Sequence, residues 1–168
     1  MGVQAGGWRG RSTIDHLVRL ETAIRNAYAN NEHLISIFFD IEKAYDTTWR
    51  YGILKDLHNL GLRGRLPKFI EKFLQNRNFK VRLNNNLSST KLQESGIPQG
   101  SVLSVTLFII KIDSISKEIP REDKFLSSLY VDDLQLSYSH LDLNIIKQNL
   151  QLTLDKISSW ATENGFKF

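Results

Sequence analysis

The chain has 168 residues, 41% hydrophobic and 24% charged, with three Pro, ten Gly and no Cys. Such a composition fits one globular domain with a real core and excludes a disordered tail, a disulfide scaffold and Cys-based zinc sites. A net charge of +4 suits a polyanionic partner. The longest apolar run, around Val105 to Ile110, is too short to span a membrane. Met1 to Gly10 lacks a signal-peptide core. Together these predict an intracellular protein, nuclear or cytoplasmic, with no membrane partner.

Ser12-Thr13-Ile14-Asp15 reads as a capping box. Behind it Ile14, Leu17, Val18, Ile24 and Tyr28 recur at helical spacing, which predicts a helix to about Ala29. The run from His33 to Ile41 is short, apolar and β-rich, and predicts a buried strand ending near Asp40. Tyr45 to Leu60 and Leu66 to Gln75 predict helices, split by Gly61 and Gly64. Phe79 to Leu83 alternates apolar with basic residues. With the Asn84-Asn85-Asn86 turn and a second strand near Ser88 to Leu92, it predicts a hairpin. Gly96 to Gly100 is a loop, and Ser101 to Ile119 predicts a buried helix. Phe125 to Val131 and Leu134 to Tyr138 predict two strands joined at Asp132-Asp133. Ile146, Leu150, Leu154, Ile157 and Ala161 mark a last amphipathic helix stopped at Asn164-Gly165. Trp49 and Trp160 sit at helical-core spacing and are expected to pack. Helices and strands alternate without a regular βαβ rhythm, so the fold class is α+β.

The carboxylates carry the chemistry. Asp40 alone reads as a strand-end cap, and Asp132-Asp133 alone as a turn. Together they supply hard oxygen donors from a strand end and a neighbouring hairpin. Phosphoryl transfer to a 3′-hydroxyl uses two cations roughly 3.5–4 Å apart, and Mg²⁺ needs only two or three carboxylates because it keeps several waters. His16, His33, His58 and His140 show no ligand spacing. Asp46 is expected to cap or pair locally.

At these residues the chain resembles a known family. Phe39-Asp40-Ile41-Glu42-Lys43-Ala44-Tyr45-Asp46 resembles the first catalytic motif of reverse transcriptases. Gly96-Ile97-Pro98-Gln99-Gly100-Ser101-Val102-Leu103-Ser104 resembles their nucleotide- and template-contacting motif, and Tyr130-Val131-Asp132-Asp133 their second catalytic motif. Gln4 through Asp15 resembles the segment that precedes the palm. The four occur in family order over nearly the whole chain. Their form is most similar to LINE-like, jockey-type non-LTR retrotransposon polymerases. Trp8 stands in the motif's aromatic place, and Val105 where the family usually has Pro.

The resemblance implies a palm with partial fingers, an antiparallel sheet backed by helices, with residues 1–31 on the fingers side and 32–168 as palm. It implies RNA-directed DNA synthesis from dNTPs on a DNA primer and RNA template, with two Mg²⁺ ions (Mn²⁺ as a substitute). Asp40, Asp132 and Asp133 match the catalytic, metal-binding aspartates, and the Ile41 carbonyl adds a ligand. Lys43 and Ala44 match positions facing the triphosphate, Tyr45 the ring that excludes a 2′-hydroxyl, and Gln99 and Gly100 the loop on the incoming nucleotide. Arg9 and Arg11 match basic residues near the template. The alternative is a transposon-derived remnant that folds as a palm and at most binds nucleic acid.

Overall fold

The computed structural model describes residues 12–168; the motif stretch carrying Trp8, Arg9 and Arg11 lies outside them. In chain order come α1 (Thr13–Ala29), β1 (His33–Phe39), α2 (Ala44–Thr47), α3 (Arg50–Asn59), α4 (Arg65–Leu74), β2 (Asn78–Phe79), β3 (Arg82–Leu83), β4 (Asn86–Leu87), β5 (Lys91–Leu92), α5 (Val102–Ile112), β6 (Phe125–Tyr130), β7 (Asp133–His140) and α6 (Leu143–Asn164). Two compact units result. The first takes the chain up to Glu42 and again from Ile112 to Phe168, and the second is Lys43–Lys111.

The first unit is built on an antiparallel sheet ordered β1-β7-β6. Its central strand, β7, is buried from Leu134 to Tyr138. Leu134, Leu136 and Tyr138 form one face by the period of two. The other face is polar yet also buried, so its groups must bond. The Ser137 hydroxyl accordingly meets Ser36 Oγ at 2.7 Å and accepts from the Gln135 amide. β1, expected to be a buried strand, is instead the edge of this sheet. With a neighbour on one side only, it leaves Phe38 68% exposed.

Helices back the sheet. α1 starts where expected: the Asp15 carboxylate accepts from the Ser12 amide at 2.9 Å. It packs on β1 and β6, but the apolar residues that mark it, Ile14, Leu17, Val18, Ile24 and Tyr28, stay exposed, and Ala27 is its buried residue. α6 packs along β7 with Ile146, Leu150, Thr153, Ile157 and Trp160 buried at three- and four-residue spacing. Each such apolar side chain contributes about 1.5–3 kcal/mol when fully buried. Asp142 caps its start through Asn144 N at 2.8 Å. Gly165, at φ 75°, ends it in the left-handed region. Phe166 then stacks on Trp160, 5.6 Å between ring centres.

The helix expected over Ser101 to Ile119 is α-helical only to Ile112. It tightens to a 3-10 turn over Asp113–Lys117. Two serines explain the change, because hydroxyls compete for local partners. Ser116 Oγ donates to the Asp113 carbonyl at 2.7 Å, and Ser114 Oγ accepts from Trp160 Nε1 at 2.9 Å. Trp160 thus packs as expected. Trp49 does not: it is 45% exposed, lying against Tyr51 and 5.8 Å from Lys111 Nζ.

The second unit holds α2 to α5 and two short ladders. The hairpin expected over Phe79 to Leu92 is interrupted. β3 and β4 close on Asn84-Asn85, while β2 pairs with β5. Lys80-Val81 on one arm face Ser88-Ser89-Thr90 on the other, a bulge that breaks the ladder. There the Ser88 hydroxyl accepts from Val81 N at 2.9 Å.

In the first unit Glu32 pairs with Lys124. The Lys124 hydrogen bond, against partial burial and helped by Ser139 and by the Lys124 and His140 charges, holds the Glu32 carboxyl below the usual glutamate range. Such a carboxylate stabilises the fold above its unfolded-state value, and that contribution is lost as pH falls through the lowered folded-state value. Glu32→Gln is therefore expected to lower Tm slightly at neutral pH, with the gap to the unaltered chain closing below about pH 4. Circular-dichroism melts across roughly pH 3 to 7 check this; a pH-independent gap would rule it out.

Candidate active site

Three aspartates meet at one end of the first unit's sheet because of strand register. β1 and β7 pair antiparallel, Phe39 opposite Leu134 as the last pair. Carried one step further, that register sets Asp40 against Asp133. β6 and β7 pair Tyr130 with Asp133, so Val131-Asp132 is a two-residue turn. Val131 takes φ 58°. This left-handed conformation is rare for a β-branched residue and costs on the order of 1–3 kcal/mol. The hairpin accepts that cost where it delivers Asp132 and Asp133.

The charges feel one another. Partial burial, then the neighbouring Asp132 and Asp40 carboxylates, raise the Asp133 carboxyl above its ordinary range. Clustered carboxylates repel, and a bound cation relieves that repulsion. The donor set, all hard oxygen, fits Mg²⁺ or Mn²⁺. Among the described residues no three His, Asp or Glu side chains close into a ready-made ion cage, so the fit rests on charge and donor type.

Asp40 is held from both sides. Phe39 meets Phe168 edge-on, 5.4 Å between centres. Ile41 is buried. The Glu42 amide donates to the Lys167 carbonyl at 2.8 Å, and its carboxylate pairs with Lys167 Nζ at 3.0 Å. Glu42 is thus spent on an ion pair, and the C-terminal strip Phe166–Phe168 acts as a brace that sequence reasoning missed. Another missed contact joins α1 to the second catalytic motif: His16 bonds the Ser128 hydroxyl and meets the Tyr130 ring at 5.9 Å.

The second unit organises the other motif residues. The helix expected over Tyr45 to Leu60 breaks at Thr48-Trp49, where both residues are extended in ψ. The cause is the loop after Glu94. Ile97 N donates to the Tyr45 carbonyl at 2.8 Å and Gly96 N to the Thr48 carbonyl at 3.2 Å. The Thr48 hydroxyl, fully buried, takes the Ala44 carbonyl at 2.6 Å. Arg50 closes the clamp, donating to the Gly96 carbonyl at 2.6 Å and to that of Ser95 at 3.0 Å. Arg50 belongs to no motif, and its partners lie 45 and 46 residues on, so nothing local could have flagged it.

Within that unit Lys43 is exposed with φ 50°, and Ala44 is buried. Tyr45 is half-buried and stacks on Phe108 at 5.1 Å. Gln99 is exposed, its amide donating to the Asp46 carboxylate at 3.3 Å. Asp46 therefore pairs across 53 residues rather than locally, because the loop folds back onto α2. Gly100 sits at φ 83° in open space.

Over residues 3–168 the sequence matches the family described as reverse transcriptase (RNA-dependent DNA polymerase). The chain belongs to that family. Among curated relatives it is 28% identical over 162 residues to the probable RNA-directed DNA polymerase from transposon BS of Drosophila melanogaster, covering 94% of this chain and 18% of that protein. It is 29% identical over 153 residues to the RNA-directed DNA polymerase from mobile element jockey of the same fly, covering 89% and 17%. This reverse transcriptase chain thus spans under a fifth of the length of the relatives it matches. Among solved structures, apo telomerase from Candida tropicalis superposes with a TM-score of 0.71 at 17% identity, over 97% of this chain and 34% of the telomerase chain truncated from its C-terminal domain. The α+β palm-type fold, with its antiparallel sheet backed by helices, is that of reverse transcriptases. No described helix is long and apolar enough to cross a membrane.

Gly96 offers a sharp test of the clamp. Its φ is +76°, and an added Cβ would lie 2.5 Å from the Asp46 carbonyl oxygen and 2.6 Å from that of Tyr45. Gly100 shares the positive φ without any such neighbour. Gly100→Ala is expected to cost about 1–2 kcal/mol. Gly96→Ala should cost at least twice that, because backbone must move. Urea denaturation of both variants checks the ratio; equal costs would show that the loop yields freely.

Proposed function

We propose that this chain is the catalytic core of an RNA-directed DNA polymerase of a non-LTR retrotransposon. It joins a dNTP to a primer 3′-hydroxyl on an RNA template. The observation that carries the reading is that strand register brings Asp40, Asp132 and Asp133 to one sheet end, where partial burial and then the charges of Asp132 and Asp40 raise the Asp133 carboxyl. Family membership and the motif order along residues 3–168 support it.

Asp40, Asp132 and Asp133, with the Ile41 carbonyl, are the residues that would hold Mg²⁺. Divalent ions held there supply the charge that eases ionisation of a 3′-hydroxyl and offsets charge on the triphosphate and leaving pyrophosphate. The chain's own contribution is placement. The β1–β7 register and the strained turn fix three carboxylates on rigid elements, so little reorganisation is left for the reaction itself. Lys43 and Ala44 present backbone amides toward a triphosphate. Tyr45, kept flat by Phe108, is the ring that leaves no room for a ribose 2′-hydroxyl. Gln99, steadied by Asp46, and Gly100 form the surface on which the incoming nucleotide packs. Arg9 and Arg11 contact the template. In this reading residues 1–31 serve the fingers side and 32–168 the palm.

Primer extension on an RNA template with dNTPs and Mg²⁺ tests the proposal. Asp132→Asn should reduce extension more than about 100-fold, beyond what is typical for outer-shell groups, with the far-ultraviolet spectrum unchanged. Extension that survives the substitution would refute the assignment. Oligonucleotide binding by an unaltered chain that extends nothing would favour the non-catalytic remnant.

A further inference from the structure

The turn between β6 and β7 is strained at Val131, and a strained backbone persists only where its surroundings hold it firmly. The two arms of the hairpin are held unequally. β7 is the central strand, paired with β1 from His33–His140 to Phe39–Leu134. β6 lies at the sheet's edge, with β7 as its one strand neighbour among the described residues. Tyr130 ends β6 and is the ladder partner of Asp133. The arm that leads into the turn therefore needs support from outside the sheet.

That support comes from α1, which packs on β6. The Ser12–Asp15 capping box fixes the helix start, and with it the turn that carries His16. His16 Nδ1 shares a hydrogen bond with the Ser128 hydroxyl. Its ring meets the Tyr130 ring edge-on, 5.9 Å between centres and 79° between planes. Ser128 and Tyr130 are two residues apart, so they share one face of β6, and a single imidazole reaches both. Ser128 is buried, where a hydroxyl requires a partner. It stands opposite Gln135 on β7, whose amide donates to Ser137, itself bonded to Ser36 on β1. A row of polar contacts thus crosses the sheet, and His16 supplies the partner at its β6 end.

We propose that His16 is a positioning residue for the second catalytic motif. By holding Ser128 and Tyr130 it keeps the Val131-Asp132 turn in its strained conformation, and so keeps Asp132 and Asp133 at the Asp40 end of β1. It touches no reacting atom. Its consequence for catalysis rests on the polymerase reading, but a turn held by α1 stands or falls without it, so the two can fail separately.

Three substitutions separate the two contacts. His16→Ala loses both, His16→Asn keeps an amide near the place of Nδ1, and His16→Phe keeps the ring. Mn²⁺ binding, read by electron paramagnetic resonance of the free ion, should weaken about tenfold in His16→Ala, as when a group behind a metal ligand is lost. His16→Asn and His16→Phe should each recover part of that loss. In primer extension kcat should fall by a similar factor with the dNTP KM unchanged, because metal ligands shift and nucleotide contacts do not. Ser128→Ala should cost less on top of His16→Ala than alone, since the two residues act through one contact. Hydrogen exchange without metal should quicken at Val131 to Asp133 and not in the middle of the β1–β7 ladder. Circular dichroism verifies each fold, and His16→Asn carries the test where His16→Ala does not fold. Exchange that quickens uniformly, with Mn²⁺ affinity unchanged, would make His16 an ordinary packing contact and overturn the proposal. Full Mn²⁺ binding and extension by His16→Ala would overturn it as well. An unaltered chain that neither binds Mn²⁺ nor extends a primer overturns the polymerase reading, and exchange at the turn then decides for or against His16.

Discussion

Side chains alternate across a strand, so sliding β1 against β7 by one residue would turn one strand's faces over and carry Asp40 away from Asp133. The register prevents this. Seven pairs run from His33 with His140 to Phe39 with Leu134, and β7 has a second partner in β6. The half-buried Ser36–Ser137 hydroxyl contact favours this alignment, because a slip would part the two groups. Everything the aspartates do depends on that alignment.

The alignment gathers like charges, which is unfavourable in itself. Asp133, its carboxyl raised by partial burial and then by the Asp132 and Asp40 charges, records one cost, and Val131 records a second in its left-handed backbone. Neither helps the chain fold. Both fit the proposed role, in which positive charge would be held near a reacting phosphate. The brace from Phe166 to Phe168 and the α6 helix behind it offset these costs with ordinary apolar burial and a peptide hydrogen bond to Glu42.

The second unit is built on a different constraint: a loop whose backbone stands in for helix. The Tyr45 and Thr48 carbonyls are taken by Ile97 and Gly96 amides, and the helix expected through this stretch breaks in two. Gly96 is the residue without which the approach fails. Arg50 holds two carbonyls of the same loop. The Gly96-to-Gly100 motif is therefore tied to the residues just after Asp40 in sequence, which keeps Tyr45, Gln99 and Gly100 within one rigid piece.

The sequence by itself determined the family and most elements whose pattern is local: the capping box at Ser12, the ends of α1 and α4, the β6–β7 hairpin and the Gly165 stop. These follow from periodicity and turn chemistry within a few residues. The tertiary structure alone decided what depends on distant partners. Which strand lies at the edge could not be read from β1, whose apolar run looks like a core strand. The buried polar face of β7 was hidden by its alternation, since alternation usually means one wet face. The apolar stripe of α1 shows the helix but not whether anything covers it. The break at Thr48, the Asp46–Gln99 bond and the Arg50 clamp are set by residues about fifty positions away, beyond any window in which spacing carries information. The three aspartates were legible as residues. That Asp40 and Asp133 face one another, adding the Asp40 charge to the burial and the Asp132 charge that raise the Asp133 carboxyl, was decided by the register of two strands almost a hundred residues apart.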